Sequence, residues 1–292
     1  MRTLEHAKYS RLENATYKGS RVALLTQHGK EKVVAPLLAA AIGCDVVLVT
    51  DFDTDQLGTF TRDILRAGTQ IEAARKKARI GMELAHLPLG LASEGSFGPD
   101  PFTGMFPLNV EMLVWIDDTL EVEVVGMASG KTNFSHLLTT DWEQAEVFAR
   151  ATGFPGHGIV VRPRHADDSR IRKGIATWES LREAFLWACD EADNGCAFLE
   201  TDVRAHMNPM RMEVIASATR DLARKLCTPC PVCNTPGFQI VERVSGLPCE
   251  DCGAPTREAR ADIHRCARCG HQVALERPEK TAPAGHCDWC NP

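Results

Sequence analysis

The chain has 292 residues, a net charge of −6 and an ordinary share of hydrophobic residues, 44%. These values are typical of a soluble globular protein of about two domains, and the acidic balance excludes a general nucleic-acid coat. No apolar run approaches the ~20 residues of a membrane helix. Residues 1–20 also lack the apolar segment of a secretory signal, so we expect a cytoplasmic protein with no membrane partner.

Strands and helices alternate through the first part of the chain, after a lead-in over residues 1–20 that we expect to be flexible. The apolar runs 21–26 and 45–50 predict two strands, and residues 30–42 between them have helical spacing. A strand, a helix and a strand within about 30 residues form a βαβ unit, which implies a parallel pair of strands.

The next segment adds further strands to the predicted sheet. A helix over 70–85 leads to a short strand over 87–93, and a Gly/Pro-rich loop follows over 94–102. The runs 112–117 and 121–128 are separated by a short turn, which favours an antiparallel pair. Parallel and antiparallel strands together predict a mixed sheet.

The remainder of the main domain, taken as residues 21–226, alternates in the same way. Helices are predicted over 141–152 and 178–193, and strands over 158–162 and 196–200. Asn208 followed by Pro209 marks the start of a last helix, because Asn caps a helix well and Pro suits its first position. The sequence therefore predicts an α/β main domain.

Cysteine pairs dominate the last part of the chain, residues 227–292, which we call the ribbon region. Four Cys-x-x-Cys pairs occur there, and each is followed by Asn or Gly, residues that tolerate a left-handed backbone. Eight such thiolates predict two four-cysteine zinc sites in two small zinc ribbons. The predicted ligands are Cys230, Cys233, Cys249, Cys252, Cys266, Cys269, Cys287 and Cys290.

The spacing of the pairs suggests how they share the metals. The gaps after Cys233 and after Cys269 fit a zinc ribbon, so the first pair is expected to join the second and the third to join the fourth. A crossed arrangement, first with third, is the weaker alternative. Closed four-cysteine sites are structural, and iron is the runner-up to zinc. The ribbons are candidates for contact with a protein or RNA, although seven Lys/Arg against eight Asp/Glu disfavour phosphate binding.

Charged residues follow several predicted strands of the main domain. In an open α/β sheet, ligands bind beyond the carboxyl ends of the strands. Cations for phosphate oxygens and carboxylates for Mg²⁺ are the groups that metal-assisted phosphate hydrolysis needs. The residues that would meet there are Lys30, Glu72, Glu94, Asp202 and Arg204.

The order of these features resembles the inosine triphosphate pyrophosphatase-like fold, that of the house-cleaning nucleotide pyrophosphatases. That family opens with a strand and a Thr/Ser-x-Asn-x-x-Lys loop, and the matching segment here is Thr26-Gln-His-Gly-Lys30, one residue shorter and without the Asn. The family helix motif Glu-Asn-Ala-x-x-Lys-Ala is matched by residues 72–78, which contain Glu72 and Lys77 but again lack the Asn.

Two further matches lie later in the main domain. The family has a strand that ends in acidic residues and Gly, which Glu94-Gly95 matches, and some relatives place an Arg near the last helix, where Arg204 or Arg211 stands here. The whole chain with its cysteine pairs also resembles a bacterial family catalogued only as a domain of unknown function, which implies no activity.

The first resemblance implies a Mg²⁺-dependent nucleoside triphosphate pyrophosphatase that binds a nucleotide-like small molecule. The implied catalytic residues are Glu94, Glu72, Lys30, Asp202 and Arg204, and the implied nucleotide-binding residues are Thr26, Lys30 and Lys77. The alternative hypothesis is a non-catalytic scaffold that docks protein or RNA through the ribbons, and the two missing Asn residues favour it.

Several candidate residues also have simpler interpretations. Lys30 could be a solvated residue at a helix start, and Glu94 a turn residue bound to its own backbone. Glu72 has the spacing of a surface ion pair with the basic residues that follow it. Asp202 and Arg204 could form a structural ion pair.

Overall fold

The computed structural model describes residues 16–54, 68–100 and 104–292, which form three sheets with helices against two of them. The helices are α1 (Glu31–Ile42), α2 (Gln70–Ala85), α3 (Trp142–Ala151), α4 (Trp178–Glu191) and α5 (Pro209–Leu226). The strands of the main domain are β1 (Arg21–Leu25), β2 (Asp45–Val49), β3 (Leu89–Pro99), β4 (Pro107–Asp117), β5 (Val122–Lys131), β6 (His136–Thr139), β7 (Ile159–Pro163), β8 (Arg172–Ile175) and β9 (Ala197–Thr201). The ribbon region contributes β10 (Gln239–Ser245), β11 (Ala259–Arg265) and β12 (Gln272–Glu276).

The first sheet is mixed, as the sequence predicts, with the strand order β2-β1-β3-β4-β5. β1 pairs in parallel with both β2 and β3, which confirms the βαβ unit. β4 pairs antiparallel with β3 and with β5. A loop is predicted over 94–102, but its first six residues belong to β3. An unbroken antiparallel ladder with β4 keeps β3 extended as far as Pro99, so the prediction is wrong there.

Helices cover both faces of this sheet. The alternation of β4 sends Leu113 and Trp115 into a core with α1 and α5, and Val114 and Ile116 into a second core with α2. Ser93 and Gly95 of β3 therefore face the α1/α5 side, whereas Glu94 between them faces the α2 side.

Two helices next to the candidate site begin at side-chain caps. The Asn208 side chain accepts a hydrogen bond from the backbone N–H of Arg211, and Pro209 occupies the first turn, which confirms the predicted start of α5. Thr69 caps α2 in a reciprocal capping box with Glu72. Both caps fix which residues stand on the first turn of each helix.

The second sheet has the order β6-β9-β7-β8, and α3 and α4 pack on one of its faces. The sequence pattern locates β7 and β9 but misses β6 and β8, because strands of four residues are too short to show a clear alternation. β9 pairs antiparallel with β6 and β7. Asp202 and Arg204 therefore follow an antiparallel strand of the second sheet, and the expectation that they lie at the carboxyl end of a strand in the open parallel sheet is wrong.

The third sheet is a three-stranded antiparallel meander in the ribbon region, in the order β10-β11-β12. It starts shortly after α5, and the Gly237 N–H donates to the Lys225 carbonyl at the end of that helix.

Parts of two predictions lie outside the described residues. Most of the lead-in over 1–20 does so, while Tyr17 near its end is buried and its hydroxyl donates to Asp117 at 3.1 Å. The end of the predicted loop over 94–102 also falls outside them. In the part of the chain that the structure describes, no helix has both the length and the apolar character needed to cross a membrane.

Candidate functional site

Lys30 stands directly before α1, in the loop that follows β1, and is buried, not solvated. Its side chain crosses to β3, where Nζ donates to the Ser93 carbonyl at 2.7 Å and lies 3.4 Å from Ser93 Oγ. Only 6% of the residue is exposed. Burial, followed by the nearby Arg211, lowers the pKa of Lys30 to about 8. At neutral pH this buried ammonium therefore remains charged.

Glu94 and Lys77 form a salt bridge on the α2 side of β3. Lys77 comes from the second turn of α2, and the side chains are 13% and 5% exposed for Lys77 and Glu94. On the same helix, the Gln70 side-chain amide donates to the Glu94 carbonyl at 2.7 Å and so ties the start of α2 to β3. Glu94 is therefore a buried, paired strand residue and not a turn residue.

Glu111 and Arg211 form a second salt bridge, on the α1/α5 side of the sheet. Arg211 Nε lies 2.7 Å from Glu111 Oε1, and neither side chain has any exposed surface. Arg211 also donates to the Val203 carbonyl at 2.8 Å, and Ser93 Oγ lies 3.3 Å from Glu111 Oε2. A Cβ on Gly95 would stand 2.2 Å from Glu111 Oε1, so only glycine leaves room for this pair.

These five residues, Lys30, Lys77, Glu94, Glu111 and Arg211, make up what we call the charged cluster. It holds three cations and two carboxylates in a largely buried place. The pKa of Lys30 responds to charges on both faces of β3, those of Arg211 and Glu111 on one side and those of Glu94 and Lys77 on the other. Among the described residues of the cluster, the cations outnumber the carboxylates by one. Because buried charge without a counter-charge is costly, this excess positive charge suits an anionic ligand.

A third ion pair and two imidazoles stand beside the charged cluster. Asp202, fully buried at the end of β9, accepts from Arg204 at 2.6 Å and from the Gly174 N–H at 3.2 Å. His28 and His206 stack with ring centroids 5.1 Å apart. Burial and then Lys30 lower the pKa of His28 to about 3, with further contributions from His206, Arg211 and Arg204. His28 is therefore neutral and sits among cations.

The structure brings together most of the residues that the sequence singles out. Lys30, Lys77 and Glu94 belong to the charged cluster. Thr26 is buried directly after the last residue of β1. Asp202 and Arg204 form an ion pair beside the cluster.

Glu72 is the exception. Its carboxylate turns back to the Thr69 N–H at 2.7 Å and the Thr69 hydroxyl at 2.9 Å. These hydrogen bonds to Thr69 lower its pKa. The surface pair predicted between Glu72 and the following basic residues is also replaced, because Arg75 binds Glu123.

The sequence analysis does not predict Glu111, and it offers Arg211 as an alternative to Arg204. A signal was available for Glu111. Asn109 and Glu111 lie on the same face of β4 as Leu113 and Trp115, because side chains two residues apart share a face, so two polar residues stand at positions that face the core. Arg211 lies three residues after the cap Asn208, on the first turn of α5, where it faces the same core.

Two cysteine quartets in the ribbon region could each hold a metal ion. One consists of Cys230, Cys233, Cys266 and Cys269, and the other of Cys249, Cys252, Cys287 and Cys290. The distances between their Sγ atoms include 3.7 and 3.6 Å in the first quartet and 3.8 and 3.6 Å in the second. Four sulfurs bound at about 2.3 Å to a tetrahedral zinc stand about 3.8 Å apart, so the residues fit zinc.

The local geometry of each pair matches the turn that the sequence predicts. In all four pairs the residue after the second cysteine donates its N–H to the carbonyl of the first, for example from Asn234 to Cys230 at 2.9 Å. Asn234, Gly253 and Gly270 have the predicted positive φ, whereas Asn291 does not. The hydroxyl and backbone of Thr235, hydrogen-bonded to the Cys233 sulfur, lower the pKa of that thiol to about 6.

The predicted sharing of the metals is wrong, since the first pair joins the third and the second joins the fourth. The physical reason is the meander, in which each gap between pairs holds one strand. β10 carries the chain to one end of the small sheet, β11 returns it, and β12 carries it back again. Alternate pairs therefore meet at the same end. Gap length alone could not reveal a third strand.

Comparison with known proteins gives one match. No curated protein and no solved structure matches the chain. A family model described as a domain of unknown function, DUF6671, matches residues 77–292. This range contains Lys77, Glu94, Arg211 and all eight paired cysteines, while Lys30 lies before it. Because the match covers most of the chain, the protein belongs to the DUF6671 family.

Proposed function

We propose that the main domain binds a nucleoside triphosphate, or a similar polyphosphate ester, at the charged cluster and hydrolyses it when Mg²⁺ is bound with it. The observation that carries this proposal is the buried surplus of positive charge formed by Lys30, Lys77 and Arg211 against two carboxylates. It stands beyond the carboxyl end of β1, where open α/β sheets bind their ligands.

The residues divide the work by their chemistry. Lys30, whose ammonium is held by Ser93, is placed to bind phosphate oxygens and to offset the charge that develops on a leaving phosphate. Arg211 is oriented by Glu111 and by the Val203 carbonyl, and it adds positive charge without moving. Arg204 is oriented in the same way by Asp202.

Glu94 is the carboxylate that would hold a magnesium ion, together with phosphate oxygens of the ligand. The ion would supply a Lewis acid for the phosphate. Lys77 is bound to Glu94 in this structure, so the ion and Lys77 compete for one carboxylate. Among the described residues, only the cysteine quartets bring three or more His, Cys, Asp or Glu ligands together, so a magnesium ion on Glu94 would take its other ligands from phosphate oxygens and water.

Release of phosphate or pyrophosphate from a panel of nucleoside triphosphates with Mg²⁺ tests this proposal. Glu94→Gln and Lys30→Met are expected to abolish the release, and Glu123→Gln, on the surface beside Arg75, is expected to leave it unchanged. If the wild-type protein is active and Glu94→Gln and Lys30→Met are as active as it, the assignment of this site is wrong.

The second candidate function is a non-catalytic scaffold whose ribbon region contacts another protein. Exposed apolar side chains on two of the cysteine turns favour it, since Trp289 is 80% and Val232 67% exposed. Millimolar nucleotide with Mg²⁺ separates the two functions. A ligand stabilises the folded chain only if it binds, so a melting temperature that does not change with nucleotide supports the scaffold.

A further inference from the structure

Two imidazoles join the loops that carry the cations of the proposed phosphate site. His28 lies between β1 and α1, two residues before Lys30, and His206 lies between β9 and α5, two residues after Arg204. Their rings stack at 5.1 Å with an angle of 21° between the planes. Gly29, at φ 70°, lets the first loop turn tightly, and a Cβ there would stand 3.9 Å from His206 Cβ.

The charges around this imidazole pair come from several elements. Lys30 at the start of α1, Arg204 before the turn that holds His206, and Arg211 on α5 all act on His28. Three carboxylates of the described residues nearby pair with cations, Asp202 with Arg204, Glu94 with Lys77 and Glu111 with Arg211. A proton on His28 would add to the charges of Lys30, Arg204 and Arg211, and burial together with these cations keeps His28 neutral.

We propose that the His28–His206 pair is part of the phosphate site and takes up a proton when a polyphosphate anion binds, so that an imidazolium N–H donates to a phosphate oxygen. This inference rests on the proposed function, because it needs an anion bound at the charged cluster. The proton comes from solvent and returns to it when the ligand leaves, and no covalent bond changes.

The size of the effect follows from Coulomb's law. One unit of negative charge at about 4 Å, with an effective dielectric constant of about 20, changes a protonation equilibrium roughly a thousandfold. A polyphosphate carries several such charges and also cancels the field of Lys30, Arg204 and Arg211. The ligand can thus offset the contributions of Lys30, Arg204 and Arg211 to the low His28 pKa, and its further negative charge acts against the effect of burial. A pair that only packs two loops together would show no such dependence on the ligand.

Calorimetric titration of the full-length, zinc-loaded chain with inorganic tripolyphosphate, in the absence of Mg²⁺, tests the inference. The titration is done at pH 6.5 in two buffers, MES and imidazole, whose heats of protonation differ. The difference between the binding heats measured in the two buffers gives the number of protons taken up. The wild type is expected to take up about half a proton to one proton more than His28→Asn. The titration of tripolyphosphate itself cancels in this comparison, and His165→Asn, on an exposed loop, is expected to match the wild type.

The pH dependence of binding gives a second measurement. If binding takes up one proton, affinity rises about tenfold for each unit by which the pH is lowered. The wild type is therefore expected to gain affinity from pH 8 to pH 6 relative to both His28→Asn and His206→Asn. NMR titration of the imidazole C–H signals in the wild type gives the same information if a variant fails to fold. Equal proton uptake in wild type and His28→Asn overturns the inference and leaves the proposed function intact. Absence of tripolyphosphate binding at every pH overturns both.

Discussion

The buried Glu111–Arg211 pair makes a strong prediction about stability. Both side chains are fully buried and their atoms meet at 2.7 Å, so Arg211→Met leaves the Glu111 carboxylate with Ser93 and Asn109 but without its cation. Breaking a buried ion pair from one side costs about 3–5 kcal/mol, a large share of the stability of a typical domain. We expect Arg211→Met to lower the free energy of unfolding by this amount.

A double-mutant cycle measured by urea denaturation, with zinc present, isolates the pair. Arg211→Met combined with Glu111→Met removes both charges, and the double variant is expected to be more stable than the sum of the two single losses implies. The pair Arg75–Glu123 is the control, because its side chains are 45% and 31% exposed and its loss should cost under about 1 kcal/mol. A cost for Arg211→Met no larger than that for Arg75→Met would refute the reasoning.

Three further predictions follow from other parts of the structure. Gly95→Ala is expected to lower the free energy of unfolding by about 1–3 kcal/mol, since the new Cβ would crowd Glu111 and Arg211. Gly98→Ala on the same strand is the control, because a Cβ there meets nothing within 4 Å. Equal melting temperatures of the two variants would contradict this packing. The Lys30 pKa of about 8 lies below that of an unfolded lysine, so the unfolded state binds more protons than the folded state between pH 8 and 10.5. As pH rises through this window, the wild type is therefore expected to gain up to about 3 kcal/mol of stability relative to Lys30→Met. A stability difference that stays constant with pH in urea denaturation would be the contrary result. Metal analysis should find about one zinc per chain in the double variant Cys230→Ser/Cys266→Ser, which disrupts one quartet. It should find little zinc in Cys230→Ser/Cys249→Ser, which disrupts both quartets. The reverse result would support the pairing of the first pair with the second and the third with the fourth.

Periodicity and turn chemistry predict much of this fold. The βαβ unit, the bounds of α2 and the Asn208 cap follow from local patterns, since each depends on residues close together in sequence. The length of β3 does not, because its Gly-rich end is held by pairing with a strand that comes later in the chain. The crossed pairing of the cysteines could not be predicted from local patterns for the same reason, since the order of the strands in the small meander decides which pairs meet.

The candidate site shows a similar division. Lys30 and Glu94 stand out because they sit beside glycine at predicted strand ends. Glu72 has the right neighbours but serves as a cap, which only the geometry of its side chain shows. Glu111 and Arg211 meet across 100 residues of sequence, and their partnership depends on Gly95 lying opposite Glu111 in the ladder.

Binding of a polyphosphate anion at the charged cluster is tested most directly by the change in melting temperature that inorganic tripolyphosphate causes. At a hundred times its dissociation constant the ligand stabilises the wild type by about 2.7 kcal/mol, a rise of roughly 5–10 °C. We predict that this rise disappears in Lys30→Met and shrinks in Lys77→Met, while the exposed neighbours Lys32→Met and Lys76→Met keep it. A rise of the same size in Lys30→Met, or none in the wild type, would contradict the account.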